Sequence, residues 1–190
     1  MMTQLLVFSG SSRTESFNLK LAVQLASIAE HEGAEVSLVN LGDFDFPIYN
    51  GDMEDTKGLP KAAKRLKKLL QESAGLIITC PEYNGFMTPL LVNTIDWCTR
   101  SEDASVDLSG FADKTVLIAS ASPGPGGGNR ANTHLRTMLS GIGSIVFPQT
   151  ITVPSAYDAF DDKGDFLDES MAKRAKRLIQ KFVLFTNRFE

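Results

Sequence analysis

Three short segments of this sequence hold residue types that can do chemistry. GSSRTESFN (10–18) gathers serine hydroxyls, an arginine and an asparagine directly behind the apolar run LLVFS. Ser11, Ser16 and Asn18 are neutral hydrogen-bond donors and Arg13 is a charged one, a set that suits a phosphate monoester carrying about −1.5 to −2 charge. CPEYNG (80–85) also follows an apolar run. There Pro81 stops ladder pairing and Gly85 permits a left-handed backbone, so the main-chain groups of 82–85 can turn toward a ligand while Tyr83 offers a flat apolar face. SASPGPGGGN (120–129) carries so little side-chain bulk that a planar ligand can come close to its backbone. Each segment also has a plainer reading: Ser16 as a helix cap, PEYNG as a simple turn, and the glycines as a mobile surface loop.

Other reactive residues fit no site. The first loop lacks both the GK[ST] ending of a nucleoside-triphosphate loop and the spaced glycines of a dinucleotide fingerprint. Cys80 and Cys98 are too few for a disulfide framework and have no metal-ligand spacing with His31 or His134. No metal site and no side-chain nucleophile is expected; His31 falls near a helix end and Cys80 ends a strand, which are structural positions.

The elements that must position these loops are legible as periodicity. Five apolar runs of strand length recur, LLVFS (5–9), EVSLVNL (35–41), GLIITC (75–80), TVLIASAS (115–122) and SIVFPQTITV (144–153). Near-continuous apolarity predicts burial on both faces, as in a parallel sheet covered by helices. Helical patterns alternate with them: from Ser16 to a stop at Gly33, from Pro60 toward Ala74, from Pro89 through LLVNTIDWCTR, over 129–139, and over 168–189. The polar stretches 52–58, 101–113 and 158–165 read as surface loops. The alternation predicts a doubly wound α/β sandwich with a five-stranded parallel sheet. Ligands of such sheets sit beyond the carboxyl ends of the strands, where all three loops fall.

With 190 residues the chain is expected to form one domain, 1–190. A net charge of −4 gives no general attraction to nucleic acid or anionic lipid, so neither is expected as a partner. The basic run KAAKRLKK (61–68) has helical apolar spacing and reads as a solvated helix face. No apolar run approaches the roughly 20 residues of a membrane span, and the first residues lack the sections of a signal peptide, so a cytoplasmic location is expected.

Taken together, GSSRTESFN, PEYN with TPLLVNTIDW behind it, SASPG, and the GGNR and HLR pattern (127–136) resemble the NADPH-dependent FMN reductase family of flavodoxin-like proteins. The likeness runs from about 5 to 147 and includes DFDFPIYNGDME (43–54). It implies a flavodoxin-like three-layer sandwich of strand order 2-1-3-4-5. It implies FMN, with the phosphate at Ser11, Arg13, Ser16, Phe17 and Asn18 and ring contacts from Pro81, Glu82, Tyr83, Asn84, Gly85, Ser120, Ser122 and Gly124. Two departures fall beside the flavin: Val92 where many members have lysine, and Gly85-Phe86-Met87 where members often have a serine.

The activity this implies is hydride transfer from NADPH or NADH to FMN at flavin N5, with a quinone, azo compound, metal oxyanion or free flavin as small-molecule acceptor. The alternative is a flavodoxin-like electron-transfer module without NAD(P)H oxidation of its own. Backbone N–H groups of 122–128 are expected to stabilise reduced flavin. The resemblance also implies a homodimer or homotetramer; Phe44, Phe46, Ile48 and Tyr49 are candidates for contact with a neighbour or for local packing.

Overall fold

The computed structural model describes residues 2–189. Its strands are β1 (Gln4–Ser9), β2 (Glu35–Asn40), β3 (Gly75–Thr79), β4 (Thr115–Ala121), β5 (Ile145–Val146) and β6 (Ile151–Val153). Its helices are α1 (Phe17–His31), α2 (Gly51–Lys57), α3 (Lys61–Glu72), α4 (Pro89–Cys98), α5 (Asn129–Gly141) and α6 (Glu169–Thr186). The sheet order is β2-β1-β3-β4-β5, every pairing is parallel, and β6 continues the edge by pairing with the far end of β4. This is the predicted doubly wound sandwich.

The central strands separate two cores by alternation, because successive side chains leave a strand on opposite faces. Leu5, Val7, Ile77, Leu117 and Ala119 face α1 and α6, where they meet Leu21, Leu25, Ile179 and Phe182. Leu6, Phe8, Leu76, Ile78, Val116 and Ile118 face α3, α4 and α5 and meet Leu66, Leu70, Leu91, Ile95 and Leu135. With apolar burial worth about 25 cal/mol per Å², these two layers fix the register that brings the strand ends level.

Three expectations are corrected. SIVFPQTITV is not one strand: Pro148 has no N–H to give the ladder, so the chain leaves β4 after Val146 and returns at Ile151. The polar stretch at 52–58 is not a loop but helix α2, capped by the Asn50 side chain accepting from Met53 N–H and ended by Gly58 at φ 69°. β2 is an edge strand with a largely exposed burial pattern, Leu38 being 42% accessible, rather than buried on both faces.

The four aromatic and aliphatic candidates at 44–49 divide. Phe44 is buried in the α3–α4 core, Phe46 and Tyr49 pack on the small cluster around Trp97, and Ile48 remains 85% accessible. The segment is held rather than loose. Pro47 C=O accepts from Asn93 Nδ2 at 2.9 Å and Trp97 Nε1 at 2.7 Å, while Tyr49 N–H donates to Asn93 Oδ1 at 2.8 Å.

Candidate functional site

The carboxyl ends of β1, β3 and β4 open into one cleft. Ser11, Arg13, Ser16, Phe17, Asn18, Pro81, Glu82, Tyr83 and Ser122 all line it, joined by Ala121, Pro123 and Tyr157, around a volume of about 120 Å³. Residues more than a hundred positions apart in sequence thus share one wall, as parallel crossovers require.

The first loop is built to leave donors unpaid. Ser16 caps α1, its Oγ accepting from Leu19 N–H at 3.3 Å. Among the described residues nothing accepts from the N–H groups of Ser11, Ser12, Phe17 and Asn18, and Arg13 has no carboxylate partner. Helix N-terminal amides of this kind, with the positive end of the helix dipole behind them, favour a bound anion. Beneath the loop, Thr79 Oγ1 donates to Asn18 C=O at 2.8 Å and Thr88 Oγ1 to Gly10 C=O at 2.6 Å, fixing it to β3 and to the start of α4.

Asn18 plays a second part that sequence alone does not reveal. Its Nδ2 donates to Ala121 C=O at 2.8 Å and its Oδ1 accepts from Ala121 N–H at 3.0 Å. The side chain pairs the last residue of β4 as another strand would, and so sets the distance between the phosphate loop and the 120–129 loop.

The PEYNG segment is a tight hairpin. Tyr83 and Phe86 exchange backbone hydrogen bonds at 2.9 and 3.0 Å across Asn84 (φ 53°) and Gly85 (φ 79°), two left-handed residues in succession. The main-chain groups of Tyr83 are therefore spent, and those of Glu82, Asn84 and Gly85 are the ones with unpartnered N–H among the described residues. Tyr83 is 54% accessible at the cleft wall. Of the two departures from the family pattern, Phe86 lies with its ring 4.7 Å from that of His134, and Val92 packs partly buried on the α3–α4 core.

The glycine-rich loop offers fewer donors than its sequence promised. Ser122 N–H goes to Val153 C=O, Gly124 N–H to Ser122 Oγ and Gly127 N–H to Gly124 C=O, while Pro123 and Pro125 have none. Within 122–128, Gly126 and Gly128 are the residues whose N–H groups have no partner among the described residues. Ser120 does not face the cleft: it is buried, its Oγ donating to Gly127 C=O and accepting from Asn132 Nδ2 at 2.7 Å. Gly124 lies beside the cleft, a Cβ placed there standing 3.8 Å from Ser122 Oγ. Asn84, Gly85, Ser120 and Gly124 are thus supports and rims rather than lining.

Ala121, Pro123 and Tyr157 line the cleft without having been singled out in the sequence. Ala121 and Pro123 lie inside SASPG (120–124); Tyr157 lies in no motif of the sequence. Its ring meets Phe17 edge-on at 5.1 Å. The remaining reactive groups are quiet. Burial pushes the thiols of Cys80 and Cys98 up to about 12, and His31 Nδ1 bonds to Ser27 C=O at 2.7 Å. No group of His, Cys, Asp and Glu among the described residues is placed to hold a metal.

The strand order and an anion cradle at the first β–α turn define a flavodoxin-like nucleotide-binding protein. The chain belongs to the NADPH-dependent FMN reductase family, whose sequence profile matches residues 3–158. It is 30% identical over 187 residues to an NAD(P)H-dependent FMN reductase of Pseudomonas aeruginosa, covering 97% of this chain and 96% of that one. It is 33% identical over 143 residues to a quinone reductase of Escherichia coli K12, covering 75% of this chain and 72% of the relative. Among solved structures it is similar to the flavoenzyme NAD(P)H:(acceptor) oxidoreductase FerB of Paracoccus denitrificans. That likeness has a TM-score of 0.80 and 27% identity and covers 98% of both chains.

The residues fit the family's cofactor. A phosphate needs the orphaned amides of Ser11, Ser12, Phe17 and Asn18 and the charge of Arg13; a flat ring needs the low walls that Pro81, Tyr83, Ser122 and Pro123 supply.

Proposed function

We propose that this protein is an FMN-dependent NAD(P)H oxidoreductase that reduces small quinone-type acceptors. The observation that carries the reading is the convergence of unpartnered α1 amides, the 82–85 hairpin and the 122–128 loop on a single cleft. Bound FMN would supply the redox chemistry between NAD(P)H and the acceptor, so the protein needs no nucleophile of its own. Its part is binding and orientation. Ser11, Arg13, Ser16, Phe17 and Asn18 hold the phosphate; Pro81, Glu82, Tyr83, Asn84, Gly85, Ser122 and Gly124 shape the ring side, with Ser120 bracing it from behind. Quinone enters because one relative is named a quinone reductase and one similar structure is that of a flavoenzyme NAD(P)H:(acceptor) oxidoreductase.

The exposed, rigidly held Ile48 supports a further part of the reading, that a neighbouring copy in a homodimer or homotetramer covers this side of the molecule. No helix among the described residues is long and apolar enough to cross a membrane. We place the enzyme in the cytoplasm, where reduced thiols and NAD(P)H are both available.

The test is an absorbance spectrum of purified protein loaded with FMN, followed by NADPH under nitrogen. Bleaching of the flavin bands, and steady NADPH oxidation on adding a benzoquinone with no partner protein present, are expected. If flavin binds and NADPH leaves it oxidised, the electron-transfer alternative replaces this reading; if no flavin binds in excess FMN, both fall.

A further inference from the structure

The charge of this chain is unevenly spread. α6 carries Lys173, Arg174, Lys176, Arg177 and Lys181 against Glu169 as its one acid, so residues 169–186 stand at +4 and the rest of the chain at −8. The whole-chain value of −4, from which no attraction to anionic lipid is expected, averages over the two. Helical spacing then sorts the cations. Ala175, Leu178, Ile179, Phe182 and Val183 are buried with α1 against the sheet. Positions 173, 174, 177, 181 and 184 are linked by steps of three and four residues and so share the outward side of the helix, within an arc of about 100°. All five are exposed, and no acid stands among them. The row of four cations ending in Leu184 is about 16 Å long.

Most of this charge is not neutralised within the molecule. Lys173 meets Glu169 at 2.9 Å with both side chains largely in water, a contact of little energy. Arg174 Nη2 donates to Thr150 C=O at 3.4 Å, and Arg174, Arg177 and Lys181 have no carboxylate partner among the described residues. The basic run on α3 differs: Lys64 meets Glu102 at 2.5 Å, Lys68 meets Glu72 at 3.7 Å and the Arg65 guanidinium lies 4.1 Å over the Phe44 ring. α6 is therefore the helix left with cations to pair.

Exposed apolar side chains close the row. Leu184 and Met2, 58% and 61% accessible, line one cavity of about 270 Å³ at the end of α6, and Phe189, 52% accessible, lies with its ring 4.9 Å from that of Phe185. A nucleic-acid backbone is held by cations and gains nothing from such groups, whereas a bilayer takes both, cations at its headgroups and apolar side chains at the acyl boundary below them. We propose that the outward face of α6 docks on a lipid surface rich in anionic headgroups, with Arg174, Arg177 and Lys181 at the phosphates and Leu184 beneath them. The docking needs no flavin, so it stands or falls apart from the functional reading.

Sedimentation with vesicles tests it. The full chain is expected to pellet with phosphatidylcholine vesicles holding about one third phosphatidylglycerol and to stay in solution with phosphatidylcholine alone. Raising the salt to about 0.5 M is expected to release it. Arg177→Ala and Lys181→Ala should each lower the partition coefficient about fivefold, the scale for one cation at an anionic surface, and Lys64→Ala on α3 should leave it unchanged. Leu184→Ser should also weaken binding to the anionic vesicles, and should leave any binding to a duplex oligonucleotide as it is in wild type. Residues 177, 181 and 184 are exposed, so a thermal midpoint near wild type is the control for folding. Wild type that fails to pellet with anionic vesicles at low salt overturns the inference, as does an equal loss in Lys64→Ala. An oligonucleotide that displaces the vesicles fully, together with wild-type vesicle binding by Leu184→Ser, overturns the choice of lipid and makes a polyanion the partner.

Discussion

The carboxylate of Glu82 accepts from the backbone N–H of Arg130 at 3.1 Å and is placed to accept from that of Ala131 at 3.4 Å, so a residue behind β3 caps a helix 48 positions downstream. α5 needs this, since Gly128 stands at its N-cap and provides no side chain. Glu82→Ala should cost about 1 kcal/mol, the usual worth of a lost cap, and should loosen the 122–130 stretch that forms one side of the cleft. Urea unfolding gives the first number. Hydrogen exchange gives the second: the Arg130 and Ala131 amides should exchange faster in the variant, and unchanged protection there would show that Glu82 is not the cap.

Arg13 is exposed, has no carboxylate partner among the described residues, and lines the cleft beside the first amides of α1. If it neutralises the FMN phosphate, Arg13→Ala removes a charged hydrogen bond of about 1.5 to 3 kcal/mol, or roughly ten- to hundredfold in FMN affinity. Riboflavin, which lacks the phosphate, should bind wild type and variant alike. Flavin fluorescence quenching measures both. Equal FMN affinity in the variant would remove Arg13 from the site.

What the sequence made legible follows from where each signal is stored. β1, β3 and β4 are central strands whose burial on both faces is written as continuous apolarity, and the loops at their ends follow from that. α1 and α4 announce themselves by Ser16 and Pro89. The interruption at Pro148 was visible as a residue and was still absorbed into an apolar run, because both fragments pair with the same neighbour, β4. α2 escaped because its start, Asn50, and its stop, Gly58, enclose GDMEDTK, in which Met53 alone could mark an apolar face. The pairing of Asn18 with Ala121 and the role of Ser120 as a prop for Gly127 join residues across a tertiary contact, and nothing local encodes them.

The glycines of the third loop should separate into two kinds. A Cβ on Gly128, at φ 87°, would stand 2.8 Å from the Ser120 Cβ, and one on Gly127, at φ 58°, would stand 3.0 Å from the backbone at Val153 and Pro154. Gly128→Ala is therefore expected to destabilise the fold by more than 1 kcal/mol, from left-handed strain together with the clash. A Cβ on Gly124 would meet the Ser122 Oγ at 3.8 Å, an ordinary contact distance, with no clash. Gly124→Leu should leave the thermal midpoint near wild type and weaken FMN binding or slow its reduction by NADPH. A Gly124→Leu protein with wild-type flavin affinity and turnover would show that the loop does not approach the ring.

The last prediction concerns acid. Arg100 Nε lies 2.8 Å from the buried Glu54 carboxylate and holds it below its usual range, with the Tyr49 hydroxyl adding a 2.9 Å hydrogen bond. Lys67, 2.6 Å from Asp107, brings that carboxyl down to about 2. A carboxyl whose folded value is depressed stabilises the fold fully above its unfolded value, about 4, and ceases to do so as pH falls through the folded one. Stability should thus hold steady with respect to these groups above about pH 5 and fall between about pH 4 and 2. Asp107→Asn should be less stable than wild type at pH 7, and the two urea midpoints should converge as pH drops through that window. Curves that stay parallel to pH 2 would show that the Lys67 pair contributes nothing to folding. Because Glu54 and Arg100 also tie α2 to the end of α4, Glu54→Gln should loosen the 46–50 segment that presents Ile48. If a neighbouring copy docks there, that variant should dissociate at higher protein concentration than wild type, measured by sedimentation at pH 7.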